Sequence, residues 1–464
     1  MAATSFPKDG GPPLTVSPRT AAGPEIVVVV SDGTFGGIQP FGRAILELGA
    51  RPVLFTAPVG EARLAAFRET YPEVHELETP DDPAALAGRA REVAARGRLT
   101  GLFSCFDGLS LPAAHAAAAL GLPHPALDGL TAARNKWAMR RALAAAGVPS
   151  TPYALLSSVE EISAVAAAVG FPAVIKPLNG TASHLVRRVD GDRELTAAYT
   201  DLRRRVADSF PHLYRGPVAS PDGSRLDPRR QFLVEALLSG REYTLELIAR
   251  GRGFERVAIF EKLLVDPSGF LERAFTSPPL HLDPTGSERL WDYTERCLRA
   301  AGIADTVVHV EVIDTGDGPR LVEINAGRPA GQILVRAVRD ATGCELLLEI
   351  LALATGRPAP PRPPAPLPGR ITTFTVFPPH SGTLAEIDNL AAVGALPGVV
   401  DVICYCKPGD YLDVDDKEFF AVNILLAGVE PAALLDLYGR IESLIRFRFS
   451  DDPREDGGAG HARS

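Results

Sequence analysis

The alternation of apolar and polar positions divides the chain before any single residue is considered. An unbroken apolar run, Ile26-Val27-Val28-Val29-Val30, follows a stretch rich in Pro, Gly, Ser and Thr (1–24) that predicts a flexible tail. A loop at 31–37 and a helical stretch ending near Gly49 lead to a second apolar run at 52–56. The same alternation returns at 101–105, followed by an alanine-rich helix beyond Pro112. Strand-length β-branched runs alternating with helices predict a small, Rossmann-like doubly wound α/β unit over 25–125. The loop lacks GxGxxG spacing, and the second strand ends Leu-Phe-Thr-Ala with no acid to hold a ribose. A plain strand-to-helix turn near a substrate is therefore a better reading than a dinucleotide site.

From 126 to 354 the pattern becomes α+β. Met139, Leu143 and Ala146 fall at i, i+4 and i+7 of a helix that Gly147 and Pro149 close. Several strands follow, and a polar stretch at 214–230 predicts a mobile loop. Seven prolines in the twelve positions 357–368 predict a stiff extended linker over 355–370. A small C-terminal α/β unit then spans 371–448, with strands at 371–377, 399–406 and 419–427 ahead of a helix, and 449–464 reads as a frayed tail.

Composition narrows the class rather than the fold. With 464 residues, 46% hydrophobic and 23% charged, and a net charge of −9, the chain is of ordinary globular type. It has no positive field for nucleic acid or an anionic membrane. Five scattered cysteines without a CxxC argue against a disulfide framework and a structural zinc. Cys404 and Cys406 alternate along a strand and are expected to pack on one face. No apolar run reaches the ~18 residues of a membrane span, and residues 1–24 have no signal-peptide core, so a cytoplasmic location is expected.

The stretch from His309 to Asn325 concentrates the chemistry. Two alternating runs flank Gly316-Asp317-Gly318, the signature of a β-hairpin. Alternation puts His309, Glu311 and Ile313 on one face, and Leu321, Glu323 and Asn325 on one face of the return strand, with Val322 and Ile324 opposite. With the turn centred on Asp317, Glu311 lies across from Glu323. Like charges so paired are destabilising unless something positive sits between them. Two carboxylates and an amide oxygen are hard ligands that Mg²⁺ accepts. A solvated polar face is the alternative, but residues 326–331 form a glycine-broken loop that delivers Arg328 beside the pair, where an arginine suits phosphoryl oxygens.

Two weaker signals accompany the hairpin. Lys176 sits inside an apolar strand, a costly place for an ammonium unless it meets an anion or water. The Gly180-Thr181-Ala182-Ser183 loop directly after it offers N–H groups suited to phosphate. Between 234 and 246, Glu235 and the apolar Ala236-Leu237-Leu238 lead through Ser239-Gly240 to Glu242. Such a hinge suits an adenine and ribose hydroxyls, though by itself it passes as a hairpin.

In this order and spacing the pieces resemble the ATP-grasp superfamily over about 126–335, and the preceding α/β unit is similar to the domain that usually comes before it. The resemblance implies ATP with Mg²⁺ or Mn²⁺. It makes Lys136, in the helix from Arg134-Asn135-Lys136 to Gly147-Val148-Pro149, and Lys176, in Pro172-Ala173-Val174-Ile175-Lys176-Pro177, the ATP lysines, with Ser183 in the phosphate loop. It gives Glu235 and the Ala236 to Leu238 backbone to adenine, Glu242 to ribose and Lys262 to a phosphate. Glu311, Glu323 and Asn325 match the metal ligands, and Arg328 the arginine that steadies an acyl phosphate. Within the superfamily, His309-x-Glu311, Asn325-x-x-Arg328-Pro329-x-Gly331 and the unit after the proline linker look most like the L-amino-acid ligases. D-alanine–D-alanine ligases generally have arginine where His309 stands. The phosphate loop departs from the pattern in lacking a second glycine, which leaves open whether His184 joins the site.

The resemblance thus implies an ATP-dependent carboxylate–amine ligase that forms an acyl phosphate and releases ADP and phosphate. Its partners would be small amino-acid-like carboxylates and amines and, as in many relatives, a second copy of the chain in a homodimer. His309, with an ordinary pKa near 6.5, stands either as the base for the amine or as a support for Glu311. Residues 180–184 and 266–280 are the lid candidates that would keep water from an acyl phosphate. The alternatives are a carboxylase or formyltransferase of the same fold, though no biotin-carrier motif is present, and a nucleotide-binding regulatory protein without turnover.

Overall fold

The computed structural model describes residues 23–33, 38–180, 183–206, 216–266, 271–414 and 420–450. Its first sheet has four parallel strands in the order Glu73–Glu76, Arg51–Thr56, Glu25–Ser31, Arg98–Phe103. The run Ile26 to Val30 is buried because both faces are covered. Ile26, Val28 and Val30 pack with Leu86 and Val93 of the helix Pro83–Ala94, whereas Val27 and Val29 join Phe41, Ile45 and Leu346. This is the doubly wound unit the sequence predicts.

Two further sheets enclose the middle of the chain. The smaller, in the order Tyr153–Leu156, Phe232–Ala236, Ala173–Pro177, Arg187–Val189, carries Lys176 and Glu235. The larger has eight strands in the order Gly318–Ala326, Thr306–Thr315, Arg241–Arg250, Gly253–Asp266, Leu271–Ser277, Ile371–Val376, Val422–Ala427, Val399–Cys404. Leu245, Leu247, Val308, Val310 and Val312 bury one face of its first strands against the helix Pro284–Ala300. The opposite face, carrying His309 and Glu311, lines a cavity of about 900 Å³ that the smaller sheet also borders.

The proline-rich segment does not set the last unit apart. Ile371–Val376 pairs antiparallel with Leu271–Ser277, Thr372 opposite Thr276, so the large sheet runs unbroken from the acidic hairpin into the C-terminal strands. This overturns the part of the lid candidate 266–280 that lies at 271–277. Leu271–Ser277 is hydrogen-bonded on both edges and cannot swing without breaking two ladders. Residues 267–270 lie outside the described residues. Of the polar stretch at 214–230, residues 214–215 lie outside the described residues, and the described part, 216–230, is more ordered than expected, since Val218–Ala219 and Arg225–Leu226 form a small hairpin. The Asn135 amide donates to the Ala219 carbonyl and the Ser220 hydroxyl at 3.0 and 2.9 Å and pins it down. Ala146 lies exposed past the end of the helix Lys136–Ala145, whose buried side is set by Met139 and Leu143. Among the described residues, no helix is long and apolar enough to cross a membrane.

The proline segment is held against the body by a close backbone approach. Gly343 ends the helix Gln332–Thr342 at φ +74°, and a Cβ there would lie 1.8 Å from the Pro363 carbonyl oxygen. Gly121 has φ +68° with no atom within 4 Å of such a Cβ. Gly121→Ala should cost about 1–2 kcal/mol for its left-handed backbone. Gly343→Ala should cost distinctly more, because the proline segment must also move; urea unfolding of the two variants measures the gap.

Candidate functional site

The hairpin Thr306–Thr315 and Gly318–Ala326 has the expected register, with Glu311 opposite Glu323 and His309 opposite Asn325. A bulge next to Glu311 then pairs Val312 with Leu321, leaving Val322 as the extra residue. This corrects one predicted face. Leu321 turns into the core with Ile324, and Val322 joins Glu323 on the cavity wall. The two facing acids do not confront each other unneutralised. Lys136 Nζ stands 3.1 Å from Glu323, and Lys262 Nζ 3.0 Å from Glu311.

Lys262 gathers a larger cluster than the sequence suggested. It also meets Glu242 at 2.5 Å and Glu272. One oxygen each from Glu242, Glu272 and Glu311 lies within 4.8 Å of the others. Glu242, expected to await a ribose, is opposite Ile313 in the ladder and its carboxylate is drawn to Lys262 instead. Burial opposes the Lys262 charge, but the three carboxylates outweigh it and hold the ammonium well above its usual pKa. Burial, with Glu311 and Glu242 alongside, pushes the Glu272 carboxyl up, whereas Lys262 and His309 overcome burial at Glu311 and hold it well below the usual range.

His309 is clamped. Its Nδ1 lies 2.5 Å from Glu246 and its Nε2 3.5 Å from Glu311. Burial opposes its charge, yet Glu246 first and Glu311 second carry its pKa from 6.5 to about 10. An imidazolium has no lone pair with which to take a proton from an amine, so of the two roles left open for His309 the charged ring suits the support of Glu311.

On the smaller sheet, Glu235 is the hub. Arg140 Nε donates to one of its oxygens at 2.5 Å and Lys176 Nζ to the other at 2.6 Å. Burial alone would raise the Glu235 pKa, but Arg140 and Lys176 hold it at about 2. Lys176 shares that one carboxylate with Arg140, so burial pushes its ammonium down. The carboxylate expected to hold adenine is thus fully engaged. The main chain of Ala236 is engaged too, its N–H donating to the Pro152 carbonyl at 3.0 Å and its carbonyl accepting from the Thr151 hydroxyl at 3.0 Å. Leu237 and Leu238 remain as apolar cavity wall.

Arg328 reaches the site from the loop after the hairpin and is aimed by a residue of the first unit. Its Nε donates to Asp107 at 2.7 Å, and Arg134 donates to the same carboxylate oxygen at 2.5 Å. All thirteen residues predicted for the site line the one cavity, as does the buried His184. Thr181 and Ala182 of the phosphate loop lie outside the described residues. The oxygen-only set Glu311, Glu323 and Asn325 fits Mg²⁺ or Mn²⁺, and Glu242 and Glu272 bring further hard ligands to Glu311. Sequence reasoning missed Glu246, Arg140, Glu272 and Asp107. Glu246 was within reach, since it alternates with Glu242 on the strand beside His309. Arg140 follows Lys136 by one helical turn. Glu272 and Asp107 carry no local signal.

Comparison with known proteins is consistent with this geometry. The ATP-grasp domain family matches residues 169–336, and the family described as L-amino acid ligase C-terminal domain 2 matches residues 374–450. The uncharacterised protein y4rH of Sinorhizobium fredii is 33% identical over 295 residues, covering 62% of this chain and 55% of that protein. Human carnosine synthase 1 is 27% identical over 285 residues, covering 59% of this chain and 33% of that protein. The matches thus span about half and a third of these relatives' lengths. The crystal structure of L-amino acid ligase from Bacillus licheniformis superposes with a TM-score of 0.76 at 18% identity, over 93% of this chain and all of that one, a likeness of fold.

Two expectations follow from the charges. Glu235→Gln leaves Arg140, which has no exposed surface, without its carboxylate, and should cost about 3–5 kcal/mol in denaturant unfolding. The folded pKa of His309 lies above its ordinary 6.5, so its stabilising contribution is complete below pH 6.5 and is lost as pH rises through about 10. Thermal melts of the metal-free protein should show this alkaline loss, His309→Gln should lack it, and the NMR signals of the ring should remain those of an imidazolium at pH 8.

Proposed function

We propose, from the ATP-grasp domain match at 169–336 and the L-amino acid ligase C-terminal domain match at 374–450, that this chain joins amino-acid-like carboxylates and amines through an acyl phosphate, releasing ADP and phosphate. The observation that carries this reading is the meeting, in one cavity, of two facing acids, the lysines that neutralise them and an arginine aimed from another unit.

A free carboxylate is a poor electrophile because oxide is a prohibitive leaving group; phosphorylation replaces oxide with phosphate. Lys136, Lys176 and Lys262 rest on carboxylates, and each would exchange that partner for a phosphate oxygen of the nucleotide. Glu311, Glu323 and Asn325 would hold Mg²⁺, which when bound supplies charge neutralisation to the transferring phosphoryl group. Arg328 presents a guanidinium whose Nε is fixed by Asp107 and whose Nη1 donates to the Pro329 carbonyl at 3.2 Å, so its remaining N–H groups would face the acyl phosphate and then the oxyanion formed as the amine attacks. Glu246 and His309 keep Glu311 ionised and oriented through these steps.

The purified chain with ATP, Mg²⁺ and a mixed pool of amino acids should release ADP and phosphate with a product one water lighter than its two substrates. Release of AMP and pyrophosphate, or turnover that depends on bicarbonate or formate, would overturn the reading. Arg328→Met should lower kcat about 10²–10³-fold with little change in the KM for ATP, as expected for a group that acts on the developing oxyanion. Asp107→Asn should give a smaller loss of the same kind, since Arg328 stays but its aim is relaxed.

A further inference from the structure

Past Arg328 the cavity wall changes character. The strands Leu271–Ser277, Ile371–Val376 and Val422–Ala427 lie side by side, and the register sets Phe275 opposite Thr373 and Thr375 opposite Asn423. Phe275, Thr375 and Asn423 therefore share one side of the sheet. The ladder extends to Val399–Cys404, where Ile403 lies opposite Asn423 and the Tyr405 N–H donates to the Ala421 carbonyl, so Tyr405 continues the row. The helix Gln332–Thr342 packs on this side and brings Ile333 and Leu334. Phe420 completes the wall.

The groups of this row that line the cavity are three aromatic rings, two aliphatic chains, one threonine and one amide. Asn423, nearly fully buried, accepts from the Thr375 hydroxyl at 2.9 Å, so both polar groups are turned to each other within the wall. Among the described residues of this row that line the cavity, none is ionic, and Asp401, two residues before Ile403 on the same strand, is held by Arg336 at 3.1 Å. The border with the charged part is Lys262, whose ammonium lies 5.9 Å from the centre of the Phe275 ring and is already neutralised by three carboxylates. A charged side chain placed against this wall would lose its water and find no counter-ion among the described residues that line the row, whereas an apolar one would exchange water for close packing.

We propose that this end of the cavity is the side-chain subsite of one of the two substrates and that it selects amino acids with aromatic or branched aliphatic side chains. The inference rests on the ligase reading and names its substrate class. The C-terminal strands then act as specificity elements as well as a structural extension of the sheet.

The test is a competition assay with the full chain, ATP and Mg²⁺, in which phenylalanine, leucine, aspartate and lysine are offered at equal concentration with a common partner amino acid and the products are resolved by mass spectrometry. Phenylalanine or leucine should be used at least tenfold better, in kcat/KM, than aspartate or lysine. Phe420→Ala and Leu334→Ala should each lower kcat/KM for the preferred substrate by about 10–200-fold, the range for lost packing in an apolar pocket. The loss should lie mainly in KM, with the KM for ATP unchanged. Turnover that favours aspartate or lysine, or variants that slow all four substrates alike, would overturn the subsite and leave the ligase reading standing. No ADP release with any amino acid would overturn both.

Discussion

Two acids facing each other across a β-hairpin are a liability that the rest of the site is built to absorb. Glu311 and Glu323 occupy opposite positions of the ladder, where like charges repel at short range. The hairpin is tolerable because each acid owns a cation drawn from elsewhere, Lys136 from a helix and Lys262 from a strand two places away in the sheet. The same logic holds at Glu235, which binds Arg140 and Lys176 in a buried triad. Buried ion pairs contribute little net stability compared with apolar packing, but they are costly to break by halves. A cavity lined by such pairs holds Glu235, Glu311 and Lys262 charged and in place. It suits a ligand that brings both signs at once, because a polyphosphate with a divalent cation lets every pair exchange partners without stranding a charge.

The unbroken eight-stranded sheet is what lets one cavity serve several tasks. Its first strands bury Val308, Val310 and Val312 on one side, which forces His309 and Glu311 onto the other. Its last strands come from beyond the proline segment and extend the same wall with uncharged groups. A proline-rich connection is stiff but need not be a spacer. Here it is clamped by the close approach of Pro363 to Gly343, and the strand after it completes the ladder left open by Leu271–Ser277. An exposed edge strand is an aggregation hazard, and covering it with another strand of the same chain is one of the ordinary solutions.

Much of this was legible in the sequence because it depends on periodicity. The parallel sheet of the first unit, the hairpin register and the residues on its two carboxylate positions all follow from alternation and a Gly-Asp-Gly turn. What escaped was whatever depends on contact between distant elements. Leu321 left its predicted face because Val322 is an extra residue opposite Glu311, and a bulge has no signature in a run of alternating residues. The 266–280 stretch was a lid candidate because an acyl phosphate has to be kept from water. In the fold its Glu272 and Arg273 are strand residues with partners, Glu272 on Lys262 and Arg273 on Glu442. His309 was read at its ordinary pKa because Glu246, sixty-three residues away in sequence, becomes its neighbour only when the strands pair.

Asp107 shows how the first unit enters the chemistry without supplying a reacting group. It follows the strand Arg98–Phe103, at the carboxyl end of a parallel sheet, where α/β folds generally place their ligand crevices. Arg328 hangs from a loop that begins at Gly327, and a guanidinium on such a loop would sample many directions if only its own backbone held it. A shared carboxylate removes that freedom. Asp107 takes Nε of Arg328 and a terminal nitrogen of Arg134, the last residue of the helix Leu127–Arg134, on one oxygen, so Arg328 is tied to the first unit as well as to the Pro329 carbonyl of its own loop. Since a planar guanidinium held at Nε has its remaining N–H groups directed by geometry, the orientation of the first unit against the large sheet becomes the orientation of Arg328. Any relative shift of those two bodies must then be felt at the arginine before it is felt at the facing acids.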